Sequence, residues 1–169
     1  MLEIRTIELR DEKTYRDFQT LLVEEGNPFI QVKQLEAGQF AAFVERSKRQ
    51  ETETDNPDWS TSTNYYAFKD GQIAGRIGCR WELDKGDLAT VGGHIGYVTS
   101  PAFRRQGIMT ELLAFALDRY RERGILDVLI TADKDNLASR KTIEKAGGQL
   151  ENIITLENDQ ELARYWIQL

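Results

Sequence analysis

Cysteine is nearly absent from this sequence: Cys79 is the only one in 169 residues. An intrachain disulfide is therefore impossible. Histidine is equally scarce, with His94 alone, and so few cysteine and histidine ligands argue against a zinc site. No apolar run approaches the ~20 residues needed to cross a bilayer. The opening residues, Met1-Leu2-Glu3-Ile4-Arg5, lack the apolar core of a secretion leader. Excess positive charge is missing too, since the formal net charge is −6. Sequence-independent nucleic-acid binding needs a basic face, so the total argues against it. An acidic surface favours cationic partners such as amines. These absences lead to the expectation of a cytoplasmic protein with no metal, no membrane contact and no nucleic-acid partner.

What is present is one domain's worth of chain with an ordinary 40% of hydrophobic residues. Residues 2–9 alternate loosely and predict a first strand. Thr14 to Glu25 places Tyr15, Phe18, Leu21 and Leu22 on one helical face, ended by Gly26-Asn27-Pro28. A second helix is predicted over Glu36 to Arg49, and residues 50–63 read as a polar loop. Tyr65 to Phe68 and Ile73 to Trp81 read as strands around the turn Asp70-Gly71. Gly92-Gly93 opens another strand, His94 to Val98. Met109, Leu112, Leu113, Ala116, Leu117 and Tyr120 then form an apolar helical stripe that stops before Gly124. Val128-Leu129-Ile130 suits a buried parallel strand. A helix capped by Asp135 or Asn136 ends at Gly147-Gly148, and two strands follow around Asn158-Asp159.

The most informative segment joins a strand to a helix: Val98-Thr99-Ser100-Pro101-Ala102-Phe103-Arg104-Arg105-Gln106-Gly107-Ile108-Met109-Thr110. The first turn of a helix leaves backbone N–H groups unpaired at the positive end of its dipole, which is an anion site. Gly107 allows close approach of a phosphate, and Arg104 and Arg105 add charge and directional donors. The nucleoside triphosphate loop and the dinucleotide glycine fingerprint are both absent. The stretch R-x-x-G-x-M resembles the pyrophosphate loop of the GNAT acetyltransferase superfamily, Q/R-x-x-G-x-G/A. Met109 stands where that family prefers Gly or Ala.

A second stretch strengthens the resemblance. Asp133-Lys134-Asp135-Asn136-Leu137-Ala138-Ser139, leading to Glu144-Lys145-Ala146-Gly147-Gly148, is similar to the family's N-x-x-[SA] … E-K-x-G-F. H-I-G-Y-V at 94–98, the run at 147–152 and R-Y-W-I at 164–167 resemble a bacterial subgroup of predicted acetyltransferases within it. The resemblance implies a single α+β domain over 1–169. Its mixed sheet has about seven strands with helices on both faces, in the order β-α-α-β-β-β-α-β-α-β-β. Residues 1–60 would serve the acceptor side and 61–169 the acyl-CoA core. It implies acetyl-CoA as cosubstrate, held by Val98, Thr99, Arg104, Arg105, Gln106, Gly107, Ile108, Met109, Thr110, Asn136 and Ser139. The activity implied is N-acetyl transfer to the amine of a small molecule or peptide, and many relatives dimerise.

Acyl transfer to an amine needs a neutral amine, a polarised carbonyl and a protonated or stabilised leaving thiolate. The resemblance implies an oxyanion donor from a backbone N–H near Val98, freed by a bulge in that strand. His94 is the first candidate for base, against a structural role near Gly92-Gly93; Glu82 is second. Ile143 occupies the position where many relatives carry a tyrosine acid. Tyr97 is the alternative acid, against ordinary strand packing. The rival reading is a non-catalytic acyl-CoA-binding domain. Trp59, Tyr65, Tyr66 and Trp81 either line an acceptor cleft or fill the core.

Overall fold

The structure is a computed structural model and describes residues 2–26 and 34–169. A seven-stranded mixed sheet runs in the order β1-β2-β3-β4-β5-β7-β6. Its strands are β1 (Glu3–Arg5), β2 (Ser62–Lys69), β3 (Gln72–Arg80), β4 (Ile95–Thr99), β5 (Asp127–Asp133), β6 (Gln149–Thr155) and β7 (Glu161–Gln168). The helices are α1 (Glu12–Glu25), α2 (Phe40–Arg49), α3 (Ile108–Glu122) and α4 (Leu137–Lys145). The predicted order of elements is the observed one.

Strand alternation sends side chains to two cores. On one face, Ile77, Cys79 and Ile95 pack with the α3 stripe and with Ile143 of α4. On the other, Tyr66, Ile73 and Val98 pack with Tyr15, Phe18 and Leu22 of α1 and Phe40 and Phe43 of α2. The turn between β2 and β3 falls at Asp70-Gly71, both at positive φ, as a two-residue hairpin turn requires.

Two boundaries differ from the sequence reading. The first strand is only Glu3–Arg5, because Arg5 forks onto the Asp11 carboxylate at 2.7 and 2.9 Å and folds the chain back. The second helix starts at Phe40, after a turn in which the Gln39 N–H donates to the Glu36 carbonyl. Gly26 ends α1 in the left-handed conformation, while Asn27 and Pro28 of the predicted stop lie outside the described residues.

The parallel pair β4 and β5 positions the site. Their ladder registers only Ile95 against Ile130. Beyond that pair the strands part, and each leads at the same edge of the sheet into a helix N-terminus, α3 from β4 and α4 from β5.

Candidate active site

The closed end of the β4–β5 seam is built around Gly93 and His94. Gly93 has a φ of 65°, and a Cβ there would lie 2.8 Å from the Leu129 carbonyl oxygen. Only glycine brings the two strands this close. The His94 N–H donates to the Leu129 carbonyl at 2.8 Å, and His94 Nδ1 accepts the Leu129 N–H at 2.9 Å. Its carbonyl accepts from the Arg80 N–H (2.7 Å) and the Tyr120 hydroxyl (3.0 Å). The ring is 3% exposed. Burial, and then the charge of Arg80, pull its pKa down to about 4. His94 is therefore neutral at pH 7, with its proton on Nε2, and the nitrogen that would take up a proton already holds a backbone bond.

A wide turn at Leu88–Gly92 leads into this clamp. Its carbonyls are held one after another by side chains of the sheet. Arg164 donates to Ala89 (2.7 Å) and Thr90 (3.0 Å), the Thr131 hydroxyl to Val91 (2.8 Å), and Arg80 Nη1 to Gly92 and Gly93 (3.1 Å each). Arg164 belongs to the R-Y-W-I run of the sequence, so that run fixes one rim of the site.

The open end is a cleft of about 410 Å³. β4 lines it with Ile95, Gly96, Tyr97 and Val98, and β5 with Thr131, Ala132 and Asp133; Asn136 and Ser139 close it from α4, and Leu156, Gln160 and Leu162 from the β6–β7 hairpin. The Tyr97 hydroxyl meets Ser139 Oγ in a short hydrogen bond and lies 3.3 Å from the Ser139 carbonyl. Burial raises the pKa of this phenol, against a smaller opposing effect of Ser139, so it is protonated at neutral pH. Asp133 is the one carboxylate lining the cleft among the described residues. Its Oδ1 accepts the Asp135 N–H at 2.9 Å, and Gln160 donates to its Oδ2 at 3.4 Å.

The bulge expected in β4 is not there. The register with β3 is unbroken from Gly75↔Thr99 to Cys79↔Ile95. Backbone groups of successive residues in a strand face opposite neighbours. The bond from the Ser100 N–H to the Ala74 carbonyl places Gly96, Val98 and Ser100 against β3. Tyr97 and Thr99 then direct their N–H groups at the gap left by β5. Divergence of a neighbouring strand, rather than a bulge, frees a donor here.

The loop after β4 presents backbone donors and few side chains. Ser100 is fully buried and its carbonyl accepts the Phe103 N–H. Arg104 forks onto the Glu25 carboxylate, with both contacts at 2.5 Å. Gln106 accepts a hydrogen bond from Lys69 at 3.2 Å. Arg105 (φ 62°) and Gly107 (φ 77°) are left-handed, and Arg105 is exposed. Gly107 stands at the N-cap of α3 and provides no side-chain cap. The first helical bond runs from the Glu111 N–H to the Gly107 carbonyl. Ile108, Met109 and Thr110 therefore present N–H groups with no acceptor inside the helix. Ile108 and Met109 bury their side chains in the core, so Met109 fits this position by pointing away from the donors. α4 starts differently: Asn136 Oδ1 accepts the Ser139 N–H at 3.1 Å and caps it.

The profile of the Acetyltransferase (GNAT) family matches residues 29–148. The chain belongs to this family. It is thus an acyltransferase by membership, with the GNAT fold. Similar solved structures include the acetyl transferase from Salmonella typhimurium that modifies the N-terminal serine of 50S ribosomal subunit protein L7/L12. That likeness has 18% identity, covers 99% of this chain and 95% of that one, and has a TM-score of 0.71. The Microcin C7 self immunity acetyltransferase MccE, in complex with acetyl-CoA and AMP, is 16% identical over 99% and 92% of the two chains, with a TM-score of 0.73. The putative acetyltransferase yncA from Salmonella typhimurium, with its cofactor acetyl-CoA, is 14% identical over 99% and 94%, with a TM-score of 0.65. At these identities the likeness is one of fold. No curated protein matches the chain.

Within this GNAT domain, Ile143 is fully buried in the core and carries no group that could donate a proton. Cys79 is buried, and burial pushes its thiol up to about 12, so it is no nucleophile at neutral pH. Glu82 anchors the chain before β2, accepting from the Thr61 N–H (3.0 Å) and hydroxyl (2.5 Å). Tyr66 and Trp81 belong to the cores, and Tyr65 packs edge-on against Phe115; Trp59 alone of the four is exposed. Sequence reasoning missed Arg80, Thr131, Asp133 and Gln160. Arg80 had a signal: a charged residue inside a strand that reads as central.

Proposed function

We propose that this GNAT domain is an acetyl-CoA-dependent N-acetyltransferase acting on the primary amine of a small molecule or peptide, by direct attack with both substrates bound. The observation that carries the reading is the parting of β4 and β5 after one registered pair, at the same sheet edge as the uncapped α3. The cleft fits a slender thiol arm, and the α3 turn fits a diphosphate. The acetyl-CoA bound by MccE and yncA supports the same reading.

When bound, acetyl-CoA supplies an acyl group already activated as a thioester. The N–H groups of residues 107–110, with Arg105, hold the diphosphate. Arg104 braces the loop through Glu25. Val98 and Thr99 wall the arm on the β4 side, and Asn136 and Ser139 on the α4 side. The gap-facing N–H of Tyr97 donates to the carbonyl oxygen as charge builds on it. The Tyr97 hydroxyl protonates the leaving sulfur, the role Ile143 cannot take. His94 serves as a clamp rather than a base, because its accepting nitrogen bonds Leu129 and burial disfavours the protonated ring. Asp133 takes the proton from the amine, directly or through water. Holding both reactants in one cleft supplies much of the acceleration.

Incubation with acetyl-CoA and a panel of amines, following release of free thiol, tests the reading. Thermal stabilisation by acetyl-CoA together with amine-dependent thiol release is the expected result. Stabilisation without thiol release from any amine would leave the rival reading, a non-catalytic acyl-CoA-binding domain.

A further inference from the structure

Two arginines of β3 are not used by the chemistry above. Arg76, Gly78 and Arg80 point to one face of the sheet, the face covered by α1 and α2. The register sets Arg76 opposite Val98 and Gly78 opposite Gly96. A strip of two glycines on neighbouring strands therefore separates the arginines and runs to the wall of the cleft. Arg76 folds over this strip, since a Cβ on Gly78 would meet its Nη2 at 3.1 Å and Asn64 Oδ1 at 2.9 Å.

Neither guanidinium has a carboxylate partner among the described residues. Arg76 Nη2 donates to Asn64 Oδ1 at 2.6 Å, and its Nη1 is buried with no acceptor. Arg80 donates only through Nη1, to the carbonyls of Gly92 and Gly93. Both side chains are partly buried, a setting in which charges are normally paired. Burial lowers the pKa of Arg80, and the charge of Arg76 lowers it further. The two cations repel each other across the strip, and Asp87, on the far side of Arg80, offsets this only in part.

Arg80 also stands between two hollows. It lines the cleft and a second pocket of about 530 Å³ walled by Asp58, Trp59, Ser60 and Asp87. Trp59 is 58% exposed and forms the outer wall. Arg80 is the one lining residue that the two hollows share.

We infer that Arg80, backed by the charge of Arg76, is the acceptor's anion subsite, so the amine this enzyme acetylates carries an oxyanion, a carboxylate or phosphate, near its amino group. The inference rests on the acetyltransferase reading and narrows its acceptor. Among the described residues, Nε and Nη2 of Arg80 make no hydrogen bond, and they form a fork suited to two oxygens. A guanidinium beside the amino group also favours its neutral form, which is the form that attacks.

The test compares matched amines with acetyl-CoA: amino acids against their amides, and aminoalkyl phosphates against the amino alcohols. The wild-type enzyme is expected to prefer the charged member of the pairs it accepts, and the two series tell carboxylate from phosphate. Arg80→Gln should lower kcat/KM for the charged member by about 10- to 100-fold, the loss of a charged hydrogen bond. Loss of the bonds to Gly92 and Gly93 falls on both members alike, so the ratio of charged to uncharged kcat/KM is the readout and should drop by that factor. Arg76→Gln should show a smaller loss of the same selectivity, and Arg80→Lys should restore part of it. Equal use of both members by the wild type, or equal losses for both in Arg80→Gln, would overturn the subsite. If no amine is acetylated, the acetyltransferase reading fails, and thermal shifts of the acetyl-CoA-saturated protein still decide the subsite. Stabilisation by the charged members, lost in Arg80→Gln, supports it; no stabilisation overturns it.

Discussion

The β4–β5 seam has two ends that the same pair of strands makes opposite in character. At the Gly93–His94 end, backbone and side chain both bond to Leu129, and nothing larger than glycine fits. At the Tyr97–Asp133 end the strands share no registered pair and enclose a cleft. His94 and Tyr97 are three residues apart, yet one ring is locked and neutral while the other presents a hydroxyl to the cavity. A parallel pair can be opened for a ligand only if its other end is held, and here a histidine does the holding.

The largest effect is expected from closing that distinction at its tightest point. Gly93→Ala forces a left-handed alanine against the Leu129 carbonyl and should cost about 3 kcal/mol or more, read as a lower urea midpoint. Tyr97→Phe should reduce kcat by about 100-fold while leaving the KM for acetyl-CoA nearly unchanged, in line with loss of a general acid. Steady-state rates check it, and a wild-type kcat would return Tyr97 to plain packing.

The third prediction concerns pH. The His94 pKa in the folded protein is about 4, below the ordinary value of ~6.5. The unfolded chain therefore binds the proton first as pH falls. The contribution of the neutral ring is complete above pH ~6.5 and is lost as pH falls from there toward 4, by up to about 3 kcal/mol. His94→Gln keeps an acceptor for Leu129 and should remove this part of the acid sensitivity, seen by comparing urea midpoints at pH 7 and pH 5. The kcat/KM profile of the wild type should show no limb near pH 6.5; a limb that vanishes in His94→Gln would restore it as the base.

The smallest effect separates the two arginines of the loop. Arg105→Ala should weaken acetyl-CoA binding by about tenfold, the scale of one charged contact. Arg104→Ala should weaken it less, because its fork serves Glu25. Isothermal titration checks the order, and a reversed order would place Arg104 on the diphosphate.

Much of this is legible in the sequence alone. The element order, the α3 stripe, the Asp70-Gly71 turn and the loop ending in Gly107 follow from local rules: apolar period, turn chemistry, helix caps. The site was legible only in part. Tyr97 and Ser139 were both named, but their mutual hydrogen bond spans two elements and has no local signature. Arg104 reads as a phosphate ligand in the sequence, where nothing local signals its fork onto Glu25, 79 residues away. His94 was read as a base for the same reason, since its partner Leu129 lies on another strand.

The sequence by itself determined which segments are strands and helices, and that a glycine-ended loop feeds the bare first turn of α3. These depend on contacts within a few residues. Only the tertiary structure decided where β4 and β5 part, which loop arginine meets Glu25 and which nitrogen of His94 is occupied. Each of those is a pairing between distant residues, and a pairing exists only once the sheet has set its register.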